Sequence, residues 1–109
     1  MIRYSVSEYC GTKTYSPEDG HALYIEIRDE VEAGSQVCVD FEGIKIVTGS
    51  FLGAAFGNFY KTLDSDQINT RIKIDNLPSV AAPMFRDVMK QMNVRFAYER
   101  SAYLRRLEN

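Results

Sequence analysis

Two small alcohols, Thr48 and Ser50, stand where an apolar run gives way to a helical pattern, and they are the side chains best placed for switchable chemistry. The stretch Val37 to Gly57 reads VCVDFEGIKIVTGSFLGAAFG. Val37-Cys38-Val39 closes on Asp40, a turn follows at Glu42-Gly43, and Ile44, Ile46 and Val47 form a second apolar burst. Thr48-Gly49-Ser50 then leads into a helix. A buried strand thus delivers hydroxyls to a helix N-terminus, where free amides and a partial positive charge gather. A hydroxyl there can cap the helix, a role worth about 1 kcal/mol. It can also accept a phosphoryl group, which adds about two negative charges and three acceptor oxygens. Capping is the commoner use. Ser50 is the first candidate for modification, and Thr48 takes its place if the helix begins earlier.

Two carboxylates accompany these hydroxyls. Asp40 and Asp75 each close a strand pattern, and each reads either as the cap of the next turn or as part of a partner-binding rim. Phe41 and Glu42 extend that rim beside Asp40. In open α/β sheets, ligands bind at the C-terminal edge of the strands. Asp40, Ser50 and Asp75 are expected to share that edge.

Catalysis would need more than this. The single histidine, His21, lies in an acidic helical stretch with no triad partner. Gly49-Ser50 is followed by no Gly-Lys-Ser/Thr, so it is not a phosphate loop. Asp64 and Asp66 read as solvated loop acids. Cys10 and Cys38 make no CxxC pair and read as free thiols rather than a disulfide or metal ligands. The expectation is a non-enzymatic protein with no metal and no cofactor.

The elements that position the hydroxyls follow from periodicity. Ile2 to Ser7 alternates like a half-buried strand, broken by Gly11, with Thr12 to Tyr15 a short extension or turn. Ser16-Pro17-Glu18-Asp19 opens a helix whose stripe is Ala22, Leu23, Ile27 and Val31, and Gly34 stops it. Gly20 weakens this helix by about 1 kcal/mol relative to alanine. Val37 to Phe41 suits a central strand covered on both faces. A second helix runs from about Ser50 to Leu63, with Leu52, Ala55, Phe56, Phe59 and Leu63 buried and Gly53, Ala54 and Gly57 small enough to lie close to a sheet. Asp64-Ser65-Asp66 ends it. Ile68 to Asp75 alternates as a strand near the sheet edge. A third helix follows by Pro83, with Phe85, Val88, Met89, Met92 and Phe96 as its buried stripe. Ser101 to Leu107 prolongs it or forms a terminal helix with Tyr103, Leu104 and Leu107 inward. The βαβαβα order predicts a single α/β domain over residues 1–109 with a mostly parallel or mixed sheet and helix crossovers.

Composition agrees with one folded domain. The 109 residues are 45% hydrophobic and 26% charged, which suits a globular protein with one core. A net charge of -2 argues against a dedicated nucleic-acid binder. No apolar run approaches the roughly 20 residues of a membrane helix, and Met1 to Ser7 lacks a signal-peptide core. The cytoplasm is the expected compartment.

The segment VDFEGIKIVTGSFLGAAFGNF, with Lys73-Ile74-Asp75-Asn76-Leu77 further on, resembles the STAS-like family of small bacterial and phage domains, related to anti-sigma factor antagonists. The resemblance covers roughly residues 20 to 95. It implies a STAS-like regulatory module that docks on a histidine-kinase-like ATPase and is switched by phosphorylation of a serine at the helix start after the central strand. The usual pattern there is Asp-Ser-Ser-Gly. Here the same register reads Thr48-Gly49-Ser50-Phe51, and Ser50 falls on the phosphorylated position. The docking surface would include the loop from Phe41 to Val47.

Two rivals remain at this stage. Arg86, Lys90, Arg95, Arg100, Arg105 and Arg106, interleaved with Phe96, Tyr98 and Tyr103, could grip nucleic acid. Alternatively, Tyr24, Phe51 and Tyr60 could present apolar area for a homo-oligomer or larger assembly.

Overall fold

The computed structural model describes residues 1–11 and 14–108. Three strands, β1 (Ile2–Ser5), β2 (Val37–Asp40) and β3 (Ile72–Asp75), form a wholly parallel sheet in the order β1-β2-β3. Among the described residues there are six α-helices: α1 (Val6–Cys10), α2 (Pro17–Glu32), α3 (Gly49–Phe56), α4 (Ser65–Arg71), α5 (Ala82–Arg95) and α6 (Ala97–Leu107). Both crossovers step the same way across the sheet, so right-handed connections put them on one face. There α2 and α3 pack on each other.

Strand register explains why only one face takes helices. Ile2, Val37 and Ile72 stand side by side, as do Tyr4, Val39 and Ile74. Alternation sends these to one face, where Val37, Val39 and Ile72 join Leu23, Ile27 and Phe51 in the core. Arg3, Cys38 and Lys73, then Ser5, Asp40 and Asp75, take the opposite face. β2 is central and buried throughout, as expected. Its second face, however, is covered by side chains rather than by helices, with Arg3 spread across it.

The first strand is shorter than its alternation predicts. β2 offers no pairing partner beyond Asp40, so Val6 and Ser7 turn into α1. Val6 becomes its buried residue, and Gly11, at φ +61°, ends that helix rather than a strand. Thr12 and Lys13 of the expected extension lie outside the described residues; Thr14 and Tyr15 belong to no helix or strand.

The helix α2 opens as read. Ser16 Oγ accepts from the Asp19 amide at 3.2 Å, and Pro17 sits in the first turn. Its buried stripe is Gly20, Leu23, Ile27 and Val31, with Ala22 exposed. Gly20 is there for contact. A Cβ at this position would lie 2.3 Å from the Phe51 carbonyl oxygen and 3.0 Å from Ala54 Cβ. The missing side chain lets the two helix backbones touch, which offsets its poor helix propensity.

In α3 and the 3₁₀ turn Gly57–Lys61 that follows, Leu52, Ala55, Phe56, Phe59 and Leu63 are all buried, as the spacing predicts. The small residues serve neighbouring helices rather than the sheet. A Cβ on Gly53 or Gly57 would meet Met92 of α5 at 3.1 and 3.0 Å.

Two expectations fail beyond this point. The half-strand from Ile68 is helical, because Asp64 and Gln67 form a capping box: Gln67 N donates to Asp64 Oδ1 at 2.9 Å and Asp64 N donates to Gln67 Oε1 at 3.0 Å. Asp64 therefore starts α4 instead of ending the previous helix. In α5 and α6 no residue is fully buried. Phe85, Val88, Met89, Met92 and Phe96 are only partly covered, while Leu104 and Leu107 are 47% and 65% exposed instead of inward. Arg100 ties the arm to the body by donating to the Tyr60 carbonyl at 2.9 Å.

Candidate functional site

The two hydroxyls at the start of α3 have opposite circumstances. Thr48 is the cap, since its Oγ1 accepts from the Phe51 amide at 3.1 Å. The same hydroxyl donates to the Tyr15 carbonyl at 2.7 Å. Thr48 N donates to Thr14 O at 3.1 Å, and the buried Thr14 hydroxyl donates to Ile46 O. Segments 14–15 and 46–48 are thereby laced into a ledge in front of the helix. Modifying the Thr48 hydroxyl would sacrifice its donated bond to Tyr15.

Ser50 is the second residue of α3, exposed, and engaged in no side-chain hydrogen bond among the described residues. It opens onto a cleft of about 540 Å³, together with Pro17, Gly53, Asn58, Lys61 and Arg95. Lys61 Nζ and the Arg95 guanidinium stand 5.1 and 5.3 Å from the Phe96 ring centre, both within cation–π range of one ring. Glu99 also lines this cleft.

The carboxylates assemble elsewhere. Asp40 and Asp75 are register partners on the polar face of the sheet. Arg3 bridges them, with Nη2 to Asp40 at 3.0 Å and Nη1 to Asp75 at 3.1 Å. Cys38 Sγ donates to Asp75 Oδ2 at 3.3 Å. Asp40 also accepts from Asn76 Nδ2 at 2.8 Å and from the Glu42 amide at 2.9 Å. The Asn76 amide, then the Glu42 N–H and Arg3, hold the Asp40 carboxyl below the usual carboxylate range. The Cys38 thiol and Arg3 do the same for Asp75. Burial pushes the Cys38 thiol up, so it stays protonated and donates. Both acids therefore act as ionised acceptors that tie three strands together. Asp40 is shielded by a single layer of side chains rather than by depth, since Arg3 itself is half-exposed.

Of the six residues singled out in the sequence, the structure joins Asp40 and Asp75, and no side-chain hydrogen bond among the described residues links Ser50 to either. Phe41 cannot contribute to a rim: it is fully buried, with its ring edge-on to Phe51 at 6.3 Å. Glu42 is exposed and only its backbone meets Asp40. The surface of the 41–47 loop is instead Glu42, Gly43, Lys45 and Ile46, since Ile44 and Val47 are buried. Ile46, 57% exposed, and Tyr15, 49% exposed, flank a shallow hollow of about 350 Å³ on the ledge. The every-third spacing of Ile44 and Val47, leaving Ile46 out of step, was the available signal for that exposure. The oligomer surface read from Tyr24, Phe51 and Tyr60 is not there either: Phe51 and Tyr60 are buried and Tyr24 is half-buried, ring-to-ring with Phe59. On the basic arm, Arg100 and Phe96 are engaged within the molecule.

No group of His, Cys, Asp and Glu among the described residues is arranged to hold a metal ion. No helix among them is long and apolar enough to cross a membrane. The wholly parallel three-stranded sheet with its helical cover fits a domain of the STAS-like class. Residues 19–80, more than half of the chain, match the family model described as a STAS-like domain of unknown function, and the chain belongs to that family. No curated protein and no solved structure matches it.

Proposed function

We propose that this STAS-like domain is a non-catalytic regulatory module of the cytoplasm that docks on a histidine-kinase-like ATPase and is switched by phosphorylation of Ser50. One observation carries the reading: at the start of α3 the capping role belongs to Thr48, so the Ser50 hydroxyl stays exposed and unengaged. A phosphate there meets the positive end of a helix and costs the fold little. The same dianion would stand over the cleft that Lys61 and Arg95 also line, and would change the charge of whatever surface docks there. The switch needs no movement of the core. The exposed Tyr15 and Ile46 supply apolar contact for the partner, and Glu42 and Lys45 supply a polar rim.

The test is incubation with the partner ATPase and ATP, followed by mapping of modified residues and a binding measurement. The expected result is phosphate on Ser50 and a complex weakened by Ser50→Asp. Phosphate at neither Ser50 nor Thr48 removes the switch, and absence of any complex removes the docking as well.

A further inference from the structure

A second cleft runs between α5 and the β3 edge. Its inner chamber, about 90 Å³, is walled by Phe56, Ile68, Ile72, Ile74, Phe85 and Met89. Phe85 and Met89, with Tyr60 and Asn69, also wall an outer vestibule of about 290 Å³, so the two spaces adjoin. The vestibule adds Arg86, Lys90 and Asn93. These three follow one another at four- and three-residue steps, which sets them on one face of α5. Neither cation forms a salt bridge among the described residues, and like charges one turn apart repel. Asn93 also lines the vestibule, and its buried Oδ1 has no partner among the described residues. An apolar chamber whose mouth carries two unpaired cations and an amide has the general form of a site for a small amphipathic anion.

We propose that this cleft binds a short apolar carboxylate, with the carboxylate held between Arg86 and Lys90 and the apolar end in the chamber. Charge and shape both restrict the ligand. The chamber is too small for a long acyl chain. An ammonium beside the carboxylate would face the two cations, which favours a simple acid over an amino acid. The proposal stands independently of the Ser50 switch.

The test is a titration of methyl-labelled protein with 4-methylpentanoate, followed by NMR. Saturable shifts are expected at the methyls of Ile68, Ile72, Ile74 and Met89. Arg86→Gln and Lys90→Gln, both exposed positions, are each expected to weaken binding about tenfold with the fold intact, and 4-methylpentanol to bind about tenfold more weakly than the acid. Ile74→Phe, which fills the chamber, is expected to abolish the shift at Met89 while the protein still melts cooperatively. Absence of saturable shifts, shifts confined to methyls elsewhere, or equal binding of alcohol and acid would overturn the proposal.

Discussion

The α2–α3 layer and the α5–α6 arm are both amphipathic helix pairs, yet they are held in different ways. In the first layer, Leu23, Ile27, Phe51, Leu52 and Ala55 are all fully buried, and the backbones touch at Gly20. In the second, no side chain is fully buried, and the main anchors are Met92 against two glycines, Phe85 edge-on to Phe56, and the Arg100 bond to Tyr60. The first layer specifies the fold. The arm carries the lined clefts and most of the exposed apolar residues of the C-terminal third, so it has room to change with a ligand or partner. Stability should therefore be distributed unevenly, and the sharpest measurement of that is a set of truncations on both sides.

The largest effect is expected from Phe51→Ala. Phe51 packs against Phe41 with no exposure, and deleting a buried ring costs about 3–5 kcal/mol through lost transfer energy and the cavity left behind. Urea unfolding followed by circular dichroism gives the number. A loss under about 1 kcal/mol would mean the layer tolerates collapse and the contrast with the arm is false.

Gly20→Ala comes next. At an exposed helical site this change stabilises by about 1 kcal/mol. Here the new methyl would press on a backbone carbonyl, which cannot rotate away, so a net loss of about 2 kcal/mol is expected. Stabilisation in the same urea assay would show that α2 and α3 are free to separate.

These two residues also show what the sequence could and could not reveal. Helix periodicity made Phe59, Leu52 and Leu63 legible as core, and Ser16, Pro17 and Gly34 legible as the ends of α2. Val37 to Phe41 reads correctly as a central strand, one residue longer than β2. Gly20 was legible only as a weak helix residue, because its purpose is a contact with a segment thirty residues away. The segment at Ile68 reads as strand because Ile68, Ile72 and Ile74 fit both a helical and an alternating pattern; the Asp64-to-Gln67 capping box is the local signal that separates the two. At the candidate site, Thr48 and Ser50 were both visible, but which one caps depends on where the helix starts, a matter of one residue. Phe41 reads as rim because it opens the loop from Phe41 to Val47; its burial against Phe51 is a tertiary fact. The Arg3 bridge links residues 3, 40 and 75, and no local pattern joins them.

The two hydroxyls offer the third contrast. Thr48→Ala loses the cap and the bond to Tyr15, so a cost of about 1–2 kcal/mol is expected. Ser50→Ala should stay within about 0.5 kcal/mol, as for exposed positions generally. Equal costs would mean that Ser50 shares the structural work, and the assignment of separate roles would fail.

Acid should produce a smaller change, localised on the polar face. Asp40 and Asp75 both have folded pKa values below the usual range, through Asn76 and Glu42 in one case and Cys38 in the other, with Arg3 in both. Their stabilisation is fully present above the unfolded carboxylate range, about pH 4, and is lost as pH falls through the lower folded values. Because Arg3 is half-exposed, the contribution is modest. Stability measured against pH should fall below that range, and the fall should be shallower in Arg3→Ala. An unchanged slope in that variant would show that the bridge carries no linkage.

The smallest effect belongs to the end of the arm. Leu107 is 65% exposed and Leu104 is 47% exposed, so each has little burial left to lose on truncation. Leu107→Ala should change stability by no more than about 0.5 kcal/mol, some six-fold or more below Phe51→Ala. Hydrogen exchange of the α6 amides should likewise be faster than that of α3, because few buried side chains oppose its opening. If Leu107→Ala proved as damaging as a core truncation, the arm would have to be packed in solution against something that covers it, such as a second copy of the chain. Concentration-dependent melting of the unaltered protein would then separate self-association from packing within one molecule, because only self-association makes stability depend on protomer concentration.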